Sequence, residues 1–556
     1  MIYSHFKLIN VYERQAVILK TKKKMKRRDF IKVSSAAGIM GLVGPGYDAF
    51  AGTDTAGKEG FDLHPFIKEH PEAVFINLTS VKDKTDSKAI YDAAYKLANE
   101  MFVKTSRGGG YPNTTKITCK PNWTCSGYNT NDHISQIGIN TDLNFIEGYL
   151  NSVKDKGPKE FYLRECACPQ MWETNGWTDM ARRNNFDLKD LSSHDYWDLG
   201  DEIIFKKVTD GNVFKEIGFM APMNTDGTFL INIAKFKAHQ MGITAAIKNV
   251  QGITGKKFHQ FCGGHFDIFK SYDKRYHQFF HEDYMERVAT LHKKHMEAGI
   301  PRWNTKMDRP PYGGGVFMEQ WVQRMIDSYS VTPVGIHIVE GVYGRDGDGF
   351  SGGPHNGKAM DFMSNNVIFG KDGFRVDIIT HWLAGHEPGN FGLFHIGIER
   401  GVSNVLDPFD IPVYIWENGK AKLVKLDTLK RTPLLTYYLR KNIDGFNEEK
   451  YHMCDEPFDY TAWKSGKMTR NDAPSIRALG TDPNNQVVME VTVPEKGDVY
   501  VDILNRHGDL VWRMHADDLE PGKHQVVWDG FSSPGLYNMY VKGMGWDAER
   551  EMVIFT

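Results

Sequence analysis

Thr228-Phe229-Leu230-Ile231-Asn232-Ile233-Ala234 is a near-continuous apolar run. A run this short and this apolar reads as a strand covered on both faces. It continues as Lys235-Phe236-Lys237-Ala238-His239, where polar and apolar residues alternate. The two-residue period puts Lys235, Lys237 and His239 on one face of the strand end. A helical stretch follows near residues 243–250, so the unit is strand then helix, the building block of a parallel sheet. The same alternation recurs on either side. Strands are expected at 73–78, 116–120, 160–164, 334–339 and 366–370. Helices are expected at 87–101, 143–153 and 375–384, the first with apolar residues at Ile90, Ala93, Ala94, Leu97 and Met101. The predicted fold class is α/β: a mostly parallel sheet covered by helices on both faces. In such sheets ligands sit at the carboxyl ends of the strands.

From about residue 486 the rhythm changes to short strands at 487–493, 498–504, 509–514, 524–528 and 536–541. Turns such as Glu520-Pro521-Gly522 and Ser533-Pro534-Gly535 separate them. A small all-β sandwich is expected there. The expected organisation is residues 1–51 as an export signal, 52–410 as the α/β domain, 411–483 as a connecting segment and 484–556 as the sandwich.

The chain has 556 residues, 41% hydrophobic and 25% charged, a globular composition. Residues 1–51 carry 10 Lys/Arg against 3 Asp/Glu, a net of +7, and the rest carries 58 against 67, a net of −9. An acidic body argues against a nucleic-acid surface. No apolar run reaches the roughly 18 residues of a membrane span. The basic segment Lys26-Arg27-Arg28-Asp29-Phe30-Ile31-Lys32 precedes a weakly apolar stretch and then Ala49-Phe50-Ala51. That order resembles a twin-arginine export signal, with Lys26 where Ser or Thr is usual. It implies the twin-arginine machinery as a partner, a periplasmic or cell-surface location, and passage across the membrane already folded, which suits a pre-inserted cofactor.

Lys235, Lys237 and His239, with Lys248 and Asn249 one helical segment later and Lys120-Pro121-Asn122 closing another strand, form a cationic set suited to a carboxylate, phosphate or sulfate. Lys237, His239 and Lys248 are the expected catalytic groups. His239 serves as general acid/base and a lysine as base or nucleophile. Lys120, Asn122, Lys235 and Asn249 are the expected substrate contacts. The competing reading is a solvated strand end. Glu165, Glu340 and Asp372 follow or flank strands and could hold a divalent metal through oxygen, though Asp372 could equally cap a helix. His259, His265, His277, His281, His292 and His295 are dense, and the pairs 277/281 and 292/295 have helical same-face spacing suited to a metal. Gln278 excludes the metalloprotease pattern.

Four blocks resemble the domain of unknown function 362 family: Lys120-Pro121-Asn122; Asn232 to His239 continuing to Ala246-Ile247-Lys248-Asn249-Val250-Gln251-Gly252; Glu340-Gly341 with Gly353-Pro354; and Gly370-Lys371-Asp372-Gly373-Phe374-Arg375-Val376-Asp377. The resemblance covers roughly 70–410. Glu340 stands where that family more often has Asp. Many members carry a ferredoxin-like cysteine cluster. Here Cys119, Cys125, Cys166, Cys168, Cys262 and Cys454 have no such spacing, so no iron–sulfur cluster is expected. The tail resembles the immunoglobulin-like module of flagellar hook-capping proteins and type IX sorting domains, an accessory role. Two functions remain in view. One is an exported enzyme, isomerase- or oxidoreductase-like and metal- or cofactor-dependent. It would act on a small anionic or sugar-derived substrate by proton or hydride transfer. The other is a non-catalytic envelope protein that binds anionic glycans.

Overall fold

The computed structural model describes residues 59–106, 109–124, 134–165, 171–190, 195–239, 242–254, 268–271, 273–298, 300, 316–347, 359–434, 437–439, 450–451, 458–465, 474–482, 486–529, 535–544 and 546–554. The export segment, His259, His265, Cys262 and Gly353-Pro354 lie outside them.

Ten strands form the central sheet: β1 (Val74–Leu78), β2 (Lys116–Pro121), β3 (Phe161–Glu165), β4 (Asp187–Asp190), β5 (Thr228–His239), β6 (Gly242–Thr244), β7 (Ile336–Arg345), β8 (Asp361–Gly370), β9 (Val413–Glu417) and β10 (Lys420–Val424). Their order is β10-β9-β1-β8-β7-β5-β2-β3-β4, with β6 paired to the end of β5. Five pairings are parallel and four antiparallel. The sheet is therefore mixed and mostly parallel, because β8 runs against both its neighbours.

The principal helices are α1 (Ser87–Met101), α2 (Leu143–Lys154), α3 (Trp177–Asn184), α4 (Ala246–Val250), α5 (Tyr284–Glu297), α6 (Val316–Ser330), α7 (Gly373–Leu383) and α8 (Gly392–Glu399). In α1 the side chain of Asp86 accepts from the Ala89 N–H, satisfying an orphan donor of the first turn. Its buried positions Ile90, Ala94, Leu97, Ala98 and Met101 make one stripe against the sheet. The alternation of β5 divides the core. Ile231 and Ile233 pack with Ile90, Leu97 and Tyr149. Ala234, Phe236 and Ala238 pack with Trp321, Met325 and Phe374. Both faces of the sheet are thus covered, and each fully buried Ile or Phe contributes about 1.5–3 kcal/mol.

At the C-terminal end lie two antiparallel sheets. The strands are β11 (Ser475–Thr481), β12 (Val487–Val493), β13 (Gly497–Asn505), β14 (Leu510–Leu519), β15 (Gly522–Trp528), β16 (Gly535–Gly543) and β17 (Trp546–Ile554). They pair as β11-β12-β15 and β14-β13-β16-β17. Met489, Val491, Val499, Val501, Trp528 and Met539 share one hydrophobic cluster. The five strands expected from turn chemistry are present, with one more at each end. The segment 411–483 is more than a connection. Val413 to Ile415 pair in parallel with Val74 to Ile76, so the central sheet runs on to Val424. A partner more than three hundred residues away leaves no local periodicity to read. Likewise, the helical stretch expected from Ile243 begins only at Ala246, since Gly242–Thr244 returns along β5.

Candidate functional site

The carboxyl ends of β5, β2, β3 and β7 carry a buried polar network. On one face of β5, Asn232 donates to the Ala246 carbonyl (2.9 Å) and accepts from Asn249 Nδ2 (2.8 Å). The Asn249 Oδ1 accepts from Lys120 Nζ (3.1 Å) and Asn122 Nδ2 (3.0 Å). Lys120 also pairs with Glu165 at 2.6 Å, and the Trp123 N–H donates to the same carboxylate oxygen at 3.0 Å. Asp377 of α7 fixes the short helix that presents Lys248 and Asn249. Its two oxygens accept from the Ala246 and Ile247 N–H groups at 2.6 and 3.0 Å. Burial pushes the Asp377 carboxyl up to about 8, against the pull of those two N–H bonds. Burial drives His337 down to about 3, so its Nδ1 is free to accept from Asn232 at 3.0 Å.

Lys235 and Lys237 project to the opposite face. Lys235 and Glu340 are each 0% exposed and pair at 2.7 Å. Glu340 further accepts from the Asp142 N–H (3.1 Å) and the Val342 N–H (3.0 Å), and burial raises its carboxyl despite the Lys235 charge. The Lys235 ammonium sits 3.4 Å from the Tyr343 ring centroid, and the Tyr343 hydroxyl donates to Asp142 at 2.7 Å. A bulge in β7 makes room for this. The register jumps from Lys235↔Glu340 to Lys237↔Arg345, and a Cβ on Gly344 would stand 2.7 Å from the Phe236 ring. Lys237 donates to the Ile139 carbonyl.

Trp321 of α6 unites two residues that the sequence separates. The His239 ring meets it edge-on at 5.2 Å, the Lys248 ammonium lies 5.6 Å from its centroid, and its indole N–H donates to Gln251 at 3.1 Å. Lys248 is half-buried, whereas Lys120, Lys235, Lys237 and His239 are buried. Among the described residues, no carboxylate stands within ion-pair reach of Lys248. Sequence reasoning missed Trp321, Asp142 and the anchoring role of Asp377. A capping carboxylate just before α2, or one in the middle of α7, was a readable signal. Nothing local marked Trp321.

The five expected metal ligands are not brought together. Glu165 and Glu340 serve lysines and backbone N–H groups, as above. Asp372 caps α7 through the Phe374 and Arg375 N–H groups and pairs with Arg375. The helix that carries His277 ends at that residue, so the 277/281 spacing shares no helical face. His277 lines a surface pocket of about 460 Å³ with Lys215, Phe269, Gln278 and Glu282. His281 is pulled down by burial. His292 and His295 do share α5, but His295 is clasped between two carboxylates: Nδ1 to Glu319 at 2.7 Å and Nε2 to Glu399 at 2.8 Å. Among the described residues, Asp498, His515 and Asp517 form the one acid/imidazole group with mutually close ligand atoms. It is exposed, in the C-terminal sheets.

Gly252 packs directly on the Lys120–Glu165 pair. A Cβ there would lie 2.6 Å from Lys120 Cε and 2.9 Å from Nζ. Gly252→Ala is therefore expected to displace the ammonium and destabilise by about 1–3 kcal/mol, as overpacking does. Thermal melting checks this, and a loss below about 0.5 kcal/mol would mean the lysine stem yields freely.

The fold and this edge define an α/β protein with a polar site at the strand ends, where open sheets of this kind bind ligands. Residues 117–381 match the family described as Domain of unknown function (DUF362). The matched segment is narrower than 70–410 and runs from β2 to α7, leaving out β1, β9 and β10. No curated protein matches the chain. No solved structure matches it. No helix among the described residues is long and apolar enough to cross a membrane.

Proposed function

We propose that the protein is an exported enzyme acting on a small anionic or sugar-derived substrate at the carboxyl edge of its central sheet. The observation that carries this is the half-buried Lys248 ammonium, which lacks a carboxylate partner among the described residues and shares Trp321 with His239. Lys120 and Lys235 are neutralised by Glu165 and Glu340, and they serve the framework that holds α4 and β7 in place. Lys248 then takes the anionic group, and His239 exchanges a proton with the bound molecule. Lys237, two residues before His239, supports the same strand end. No step is routed through a metal, because the expected ligands are engaged elsewhere. The burial of Lys120, Lys235, Lys237 and His239 favours a small ligand over a polymeric glycan, which needs exposed cations to grip. Export by the twin-arginine route rests on the segment 26–51, and cell fractionation with Arg27 and Arg28 replaced by Lys tests it.

Metabolite profiling tests the enzyme reading. A deletion strain is expected to accumulate a small anion that the wild-type gene clears. A His239→Gln gene is expected to leave it uncleared while the protein melts near the wild-type temperature. Clearance by His239→Gln at the wild-type rate would overturn the assignment.

A further inference from the structure

The pocket that His277 lines is built outside the central sheet. Lys215 immediately precedes the strand Glu216–Met220, and its N–H donates to the Phe279 carbonyl at 2.8 Å, which holds it beside the 277–282 turn. Phe214 and Phe280 bridge next to it. Phe269 comes from the short helix Ile268–Ser271, and its ring meets the His277 ring edge-on at 4.8 Å. The Gln278 amide donates to the Arg275 carbonyl at 2.9 Å, which ties down the rim. These segments bound about 460 Å³, within the roughly 300–1,000 Å³ of small-molecule clefts. Lys215, Phe269 and His277 are half-buried, and Glu282 is exposed. Lys215 and Glu282 line the same cavity with opposite charges. Among the described residues, neither has an ion-pair partner, in each other or elsewhere. A lone surface charge is ordinary. An ammonium and a carboxylate lining one concavity beside an aromatic wall are a different matter, because a cleft with low-dielectric walls focuses the field of both.

We propose that this pocket binds a small zwitterion with an apolar side chain: an α-amino acid, either free or as the two ends of a dipeptide. The Lys215 ammonium takes the carboxylate and Glu282 takes the ammonium, both as charge-assisted hydrogen bonds. The Phe269 ring, with the His277 ring against it, takes the side chain. The charge pair selects against other ligands. A phosphate or simple anion would be repelled by Glu282, and a metal cation by Lys215. A neutral sugar would answer neither charge. The site is separate from the strand-end site proposed above and does not depend on it.

Calorimetric titration of the full chain tests it with three probes: L-phenylalanine, 3-phenylpropionate, which lacks the ammonium, and 2-phenylethylamine, which lacks the carboxylate. The wild type is expected to bind L-phenylalanine about tenfold or more tighter than either analogue. Lys215→Met is expected to weaken L-phenylalanine and 3-phenylpropionate and leave 2-phenylethylamine unchanged. Glu282→Gln is expected to weaken L-phenylalanine and 2-phenylethylamine and leave 3-phenylpropionate unchanged. Both side chains reach the surface, so neither substitution is expected to move the melting temperature, and either variant carries the test alone. L-Phenylalanyl-L-phenylalanine binding tighter than L-phenylalanine assigns the dipeptide, and weaker binding assigns the free amino acid. The proposal is overturned if the wild type binds none of these molecules, or binds L-phenylalanine no tighter than both analogues. It is also overturned if L-phenylalanine binding survives both substitutions.

Discussion

Lys235→Met is expected to destabilise the protein by about 3–5 kcal/mol, the range found when one member of a buried ion pair is removed. The substitution keeps the volume and deletes the charge. Glu340 is then left fully buried, with only the Asp142 and Val342 N–H groups to hold its carboxylate. The Tyr343 ring also loses the cation that sits over it. A loss of this size is a large share of the roughly 5–15 kcal/mol that holds a typical domain together. Soluble yield should fall, and the first guanidinium transition should move to lower denaturant. Lys235→Met combined with Glu340→Leu should recover most of the loss, because replacing both charges by apolar groups of similar volume is often neutral. A single-variant loss below about 1 kcal/mol would mean that the pair does not hold β5 to β7.

The second large effect is a dependence on pH. Both nitrogens of His295 face carboxylates, which requires a doubly protonated ring; burial pulls its pKa down, but the hydrogen bonds it donates to Glu319 and Glu399, with their charges, outweigh that and raise it from 6.5 to about 9. Lys294 also pairs with Glu399, and Gln323 donates to Glu319. A group whose folded value is raised stabilises fully below its unfolded value and loses that stabilisation as pH rises through the folded one. The contribution is therefore complete below about pH 6.5 and gone above about pH 9, a fall on the order of 3 kcal/mol. Glu399 is lowered to about 2, chiefly by its bond from His295, so the acid-side loss begins near pH 4.5 and continues toward pH 2. The two shifts describe one interaction from opposite ends and do not add. His295→Leu should flatten the alkaline slope in urea unfolding between pH 7 and 10. It should also lower stability at pH 7, since Glu319 stays buried. An unchanged slope in that variant would assign the dependence elsewhere.

Much of the central sheet was legible because its strands are short apolar runs closed by turn residues. Thr228–Ala234, Lys116–Lys120 and the helix 87–101 needed only periodicity. The reversal at β8 was not legible, since a buried strand reads the same in either direction. Nor was the return of the chain at 413–424, whose partner is remote. At the site, Lys120, Lys235, Asn249, Glu165 and Glu340 were all singled out, but as separate cation and metal sets. The sequence shows charges and omits their pairing, so lysines that neutralise carboxylates looked like open binding groups. The His277/His281 spacing failed for a different reason: an i, i+4 rule holds only if the helix continues through both residues, and this one stops at the first.

The placement of β9 has a bearing on how the gene should be handled. Val74, Phe75 and Ile76 are covered along one side by a segment encoded far downstream of the family match. A fragment trimmed to residues 117–381 would lack β1 altogether, and one ending at 410 would bare its hydrogen-bonding rim to neighbouring molecules, the usual template for sheet-to-sheet clumping. The boundary drawn by family likeness is thus narrower than the smallest piece that can close its own sheet.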